Sequence, residues 1–127
     1  MTTKIFTVDD KRYEVAMASA VKQNELLGLV AQRLFIASDI AKKGGATLNE
    51  TSVMITLMTS KTEEKTKIEK ILLEQAVEVG TSNLISIKDF EGKMVAWNTL
   101  IAQVLIWNLS DFFALLANAK LEEMMKA

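Results

Sequence analysis

Apolar and polar residues change their spacing along the chain, and each change marks an element. Ile5 to Val8 and Tyr13 to Val15 are rich in β-branched and aromatic residues, with Asp9, Asp10 and Lys11 between them. Two short β-prone runs around an Asp-rich turn predict a hairpin over about residues 4–15, with a loop of three to four residues. A lone hairpin is marginal in water, so it must lie on helices or pair with another edge.

From Ser19, a plausible N-cap, the period becomes helical and holds to about Lys42. Leu26, Leu27, Val30, Leu34, Ala37 and Ala41 fall on one face, and Leu29, Phe35, Ile36 and Ile40 widen it. Lys42 and Lys43 suit a helix C-terminus, and Gly44-Gly45 provides the left-handed cap. A shorter helix over 50–59 carries Val53, Met54, Leu57 and Met58 among threonines that weaken it. Ser60 and Glu63 have the spacing of a capping box, which starts a helix over 61–79 with Ile68, Ile71, Leu72, Gln75, Ala76 and Val79 as its buried face.

The last element, over 87–118, is the most apolar. Ser86 to Asp89 signals its start, and Gly92 marks a kink or a change from a short helix to a long one near Lys93. Between Lys93 and Asp111 there is no charge. Met94, Trp97, Ile101, Val104, Leu105, Leu109, Phe112 and Leu116 trace one face; Leu100, Ile106, Trp107, Phe113 and Leu115 trace another. A helix apolar nearly all round must be covered on more than one side. The cover is the monomer core, another protein surface, or a membrane. Ser110 is placed to cap a separate final helix, and Lys120 to Ala127 reads as its fraying tail.

Composition narrows these options. At 127 residues the chain has the size of one domain, half of it hydrophobic. The fold class is therefore mostly α, a small helical domain with a short N-terminal β-hairpin. Fifteen basic against sixteen acidic residues leave no broad positive field for nucleic acid. There is no Cys and no His, which removes thiolate chemistry and the commonest general base and transition-metal ligand. The carboxylate pairs Asp9-Asp10, Glu63-Glu64, Asp89 with Glu91, and Glu122-Glu123 read as turn, helix-start and tail charges. No catalytic, cofactor or metal residue is expected. The N-terminus has no apolar leader core, so an intracellular protein is expected. A membrane span through Leu100–Ala117 would carry Gln103, Asn108, Ser110 and Asp111, and an aspartate near mid-span costs about 2.5–3.5 kcal/mol.

The runs Asp89-Phe90-Glu91-Gly92-Lys93-Met94, Trp97-Asn98 and Leu105-Ile106-Trp107-Asn108-Leu109-Ser110-Asp111-Phe112-Phe113, with the opening Phe6 to Val15, resemble the tail assembly chaperones of long-tailed bacteriophages. The resemblance implies a non-enzymatic helical protein of the infected host cytoplasm, absent from the mature virion. It implies self-association, binding of the long helical tape measure protein, and help in recruiting tail tube protein. Many such chaperones have a longer frameshifted form, and this chain resembles the short one. Read this way, Trp97, Trp107, Phe112, Phe113 and Leu116 are candidate contacts, with Leu29, Phe35 and Ile36 on the first helix as the other wall. Two other readings stand beside it, a small helical adaptor or antitoxin-like module, and a membrane-active phage protein.

Overall fold

The computed structural model describes residues 2–118; the expected tail helix from Lys120 lies outside them. The hairpin forms from β1 (Thr3–Val8) and β2 (Lys11–Ala16), in antiparallel register with Phe6 opposite Tyr13. Its loop is shorter than expected, because Asp9 and Asp10 both take positive φ (49° and 66°) and close the turn in two residues. That left-handed pair matches the strand twist. Phe6, Val8, Tyr13 and Val15 point inward and are buried.

Helix α1 (Ala20–Lys43) starts where the spacing places it, with the Ser19 hydroxyl accepting from the Lys22 amide. Its end is a Schellman motif: Gly45 has φ +78°, its N–H donates to Lys42 O, and Ala46 N–H donates to Ala41 O at 2.8 Å. The buried line is Leu26, Val30, Leu34 and Ser38. Gly28 is exposed in mid-helix, where a side chain would meet nothing within 4 Å. Such a glycine costs about 1 kcal/mol relative to alanine. Helix α2 (Glu50–Met58) is capped by Asn49, whose Oδ1 accepts from Ser52 N at 2.9 Å.

Helix α3 (Thr62–Leu73) departs from expectation at both ends. The Ser60–Glu63 capping box does not form; Ser60 donates back to Thr56 O at 3.1 Å. The helix stops at Leu73 rather than Val79, because Val77–Glu78 becomes β3 and pairs with β2. Val79 N–H donates to Arg12 O, and Ile85 N–H to Ala76 O, at 2.9 Å each. Ala76 is still fully buried, but as the lead into a strand. The hairpin thus becomes a three-stranded sheet, β1-β2-β3.

The expected 87–118 helix is three pieces. A 3₁₀ turn (Ile87–Phe90) opens with the Ser86 amide donating to Asp89 Oδ2 at 2.8 Å. Gly92, at φ +77°, redirects the chain. Helix α4 (Met94–Asn108) then runs through the core, and α5 (Ser110–Ala117) leaves it at an 83° bend. α4 lies between α2, α3 and β1, which is why Ala96, Trp97, Leu100, Ile101, Ala102, Val104 and Leu105 are all buried. Its all-round apolar sequence is the sequence of a central helix. α5 folds back toward α1.

Candidate protein-interaction site

Phe6 and Val8 are the buried positions of β1, exposed Lys4 follows them on the same face by alternation, and α4 packs on this strand. The Trp107 ring packs edge-on against Phe6, with centroids 5.6 Å apart and planes at 67°. Lys4 Nζ lies 5.4 Å from the Phe6 centroid. Trp107 is only half-buried and forms, with Phe6, Ile106, Gln103, Ser110, Lys4 and Glu50, the lining of an open groove of about 430 Å³. Its floor is aromatic and its rim carries one cation and one anion. That division suits an apolar side chain from a partner, flanked by polar groups.

The bend after Asn108 sets the second part of the surface. Asp111 Oδ1 accepts from the Phe112 amide at 2.7 Å in the first turn of α5. Phe112 and Phe113, also half-buried, pack edge to face at 6.1 Å, and Leu115 is exposed on the same short helix.

Two candidate residues are corrected. Trp97 is 3% exposed; it packs on Phe90 with centroids 5.1 Å apart and planes tilted at 59°, and its indole N–H donates to Glu69 Oε2. Leu116 is 2% exposed. Both are core residues of the monomer, since α4 is surrounded and α5 turns Leu116 inward. Nor do the α1 residues form an opposite wall to Trp107. Leu29 and Phe35 are partly buried and pack against the core, while Ile36 is exposed on the side of α1 away from Leu34. Trp107 faces β1. Lys4, Phe6 and Glu50 were not foreseen as lining residues, because nothing in their local pattern says where the hairpin docks.

A second, more polar cleft is lined by Lys11, Tyr13, Glu78, Asn83, Asp89 and Phe90, among others. Burial first, then the Glu78, Asp89 and Asp9 carboxylates, raise the Tyr13 phenol above its ordinary pKa. The phenol stays protonated at neutral pH. Among the described residues no three His, Cys, Asp or Glu side chains are grouped to hold a metal ion. No single described helix is long and apolar enough to cross a membrane; α4 and α5 reach that composition only together, across their bend.

Comparison of the chain with protein-family models, curated proteins and solved structures gives no match.

Proposed function

We propose that this chain is a non-enzymatic tail assembly chaperone of a long-tailed phage. It works in several copies in the host cytoplasm, binds the helical tape measure protein, keeps it soluble, and helps bring tail tube subunits to it. The resemblance of the Asp89–Met94 and Leu105–Phe113 runs supports this reading. The observation that carries it is the half-buried Trp107, packed on Phe6 in an open groove that Ile106 also lines. A helix laid there buries apolar residues spaced at i, i+3 or i+4 and i+7 against Trp107 and Ile106. Lys4 and Glu50 meet polar groups at its edges.

Aromatic anchors that are fixed before binding lose little freedom on complex formation. Trp107 is fixed by Phe6. Each 100 Å² of apolar surface covered contributes about 2.5 kcal/mol before the costs of association.

The test is co-expression with the product of the adjacent downstream gene, expected to be a very long helix-rich chain. The two proteins should co-purify, and Trp107→Ala should release the long chain while leaving the helical circular dichroism unchanged. Absence of tail genes nearby, or capture that survives Trp107→Ala and Phe113→Ala together, overturns the proposal.

A further inference from the structure

The cleft around Tyr13 gathers polar groups that the fold does not use. Tyr13 and Glu78 stand opposite each other in the β2–β3 register, so both side chains lie on the sheet face that meets the helices. Glu78 thus carries an inward carboxylate on a two-residue strand, and it has no ion pair among the described residues. Asp89 reaches the same cleft from the 3₁₀ turn; its Oδ2 accepts from the Ser86 amide, which leaves Oδ1 over. Tyr13 is 5% exposed, with its ring packed on Phe90 at 5.6 Å between centroids. Its hydroxyl has no hydrogen-bond partner among the described residues. The fully buried side-chain atom left without a partner there is Asn98 Oδ1. The phenol oxygen therefore opens into the cleft that Tyr13 lines. A side chain more than nine-tenths buried, with its polar tip unpaired and aimed at that space, calls for a partner from outside the chain.

We propose that this cleft binds the head of an aliphatic cation, a guanidinium or ammonium group on a hydrocarbon stem. Such a head only donates hydrogen bonds, and the cleft offers it acceptors: the Glu78 carboxylate, Asp89 Oδ1 and the phenol oxygen. The field at the phenol is negative. After burial, the carboxylates of Glu78, Asp89 and Asp9, in that order, hold its pKa up, and a cation is drawn to the same place. The stem has apolar walls in Phe90 and Ile85, with Leu84, 63% exposed, at the mouth. The volume, about 290 Å³, lies at the foot of the range of about 300–1,000 Å³ for drug-sized ligands, and so suits one side-chain-sized group.

Other ligand classes fit less well. An anion would meet the same carboxylates and be repelled. A hard metal ion lacks ligands, since no three acidic side chains are grouped among the described residues. Lys11 also lines the cleft, yet its ammonium pairs with neither Glu78 nor Asp89. It opposes an incoming cation by charge and does not occupy the acceptors itself. The cleft shares no lining residue with the Trp107 groove, so the inference stands whatever that groove binds.

Tyr13 is the only tyrosine of the chain, so labelling tyrosine rings gives NMR signals from this cleft alone. Butylguanidinium titrated into the full chain at neutral pH should shift them saturably, with a millimolar dissociation constant. Butylurea, which has the same shape without the charge, should leave them in place. Glu78→Gln should weaken binding about tenfold, the loss of one charge-assisted hydrogen bond, and Lys11→Gln should tighten it. If Glu78→Gln does not fold, the Lys11→Gln titration decides alone. Acetyl-Gly-Arg-Gly-amide and agmatine separate the two sources of such a head. Tighter binding of the peptide assigns the cleft to an arginine side chain of a partner protein, and tighter binding of agmatine assigns it to a free amine; either ranking supports the proposal. The absence of a saturable shift with butylguanidinium, an equal shift with butylurea, a constant indifferent to Glu78→Gln, or no tightening in Lys11→Gln overturns it.

Discussion

The amide of Ala18 donates to Asn108 Oδ1 at 3.0 Å, joining the chain just before α1 to the last residue of α4. The Gln23 side-chain amide adds bonds of 3.3 Å to Asn108 Oδ1 and to its backbone carbonyl. Asn108 is buried, and its own Nδ2 donates to Val104 O. One side chain thus fixes where α1 leaves the sheet and where α5 turns away. Asn98 has similar burial but another situation: its Nδ2 donates only to Met94 O within its own helix, and Oδ1 has no partner. Asn108→Leu strands the Ala18 amide and leaves Gln23 only its bond to the backbone carbonyl of residue 108, so a loss of about 1–3 kcal/mol is expected. Asn98→Leu keeps the branching, adds bulk and strands no partner outside its own helix, so it should cost less than Asn108→Leu. Urea unfolding of the two variants checks the order; equal losses would remove the distinction.

The two tryptophans should separate stability from binding. Trp97→Ala deletes a buried ring from between Phe90 and Glu69 and is expected to cost about 3–5 kcal/mol. Trp97→Phe keeps most of the packing but leaves the Glu69 carboxylate without its donor, for a loss of about 1–2 kcal/mol. Trp107→Ala removes a half-exposed ring and should fall within the ordinary range of about 0.5–3 kcal/mol, below Trp97→Ala. Thermal melts of the three variants decide it, and a Trp107 variant as unstable as Trp97→Ala would make Trp107 a core residue too.

The contrast between these tryptophans shows how far the sequence could be read. Their helix face, the Ser19 and Gly44-Gly45 ends of α1 and the turn at Gly92 follow from local chemistry, and the chain forms them there. Which side of α4 meets solvent does not follow, because α4 is apolar all round and only the docking of β1, α2 and α3 distinguishes Trp97 from Trp107. The early end of α3 is the same kind of event. Ala76, Val77 and Val79 continue a helical apolar pattern, yet the unpaired edge of β2 takes Val77–Glu78 as a third strand. A two-residue strand leaves too little periodicity to be seen beforehand. Ser60, by contrast, had two local partners, and the Thr56 carbonyl one turn back competed successfully with the Glu63 amide.

Alkaline pH should weaken the fold through Tyr13. Its phenol is buried, paired in the sheet with Phe6 and packed on Phe90, and its pKa is raised by burial and by nearby carboxylates. The folded state thus holds the proton more tightly than the unfolded chain, in which tyrosine titrates near pH 10. The contribution is complete below about pH 10, and is lost as pH rises from there through the folded-state pKa. Urea midpoints measured across that window should fall for the wild type, and by less for Tyr13→Phe. Equal slopes would show that Tyr13 does not govern the alkaline limit.

The hairpin turn offers a test of backbone conformation with no change in packing. Asp9 and Asp10 both hold positive φ, a region that a side chain on Cβ disfavours by about 1–2 kcal/mol, less for Asp than for most residues. Two neighbouring carboxylates in a two-residue loop add repulsion. Asp10→Gly relieves both and should gain about 0.5–1 kcal/mol after the entropy of the freer unfolded chain is counted. Asp10→Val keeps the Cβ, adds a branch, and should lose about 1–2 kcal/mol. Both side chains point to solvent, so groove and core stay as they are. The measurement is the urea midpoint of each variant at two salt concentrations. The gain from Asp10→Gly should shrink at high salt by the repulsive share only, since screening acts on the charges and not on φ. A gain that vanishes at high salt would mean that charge alone, and not the left-handed backbone, strains this turn.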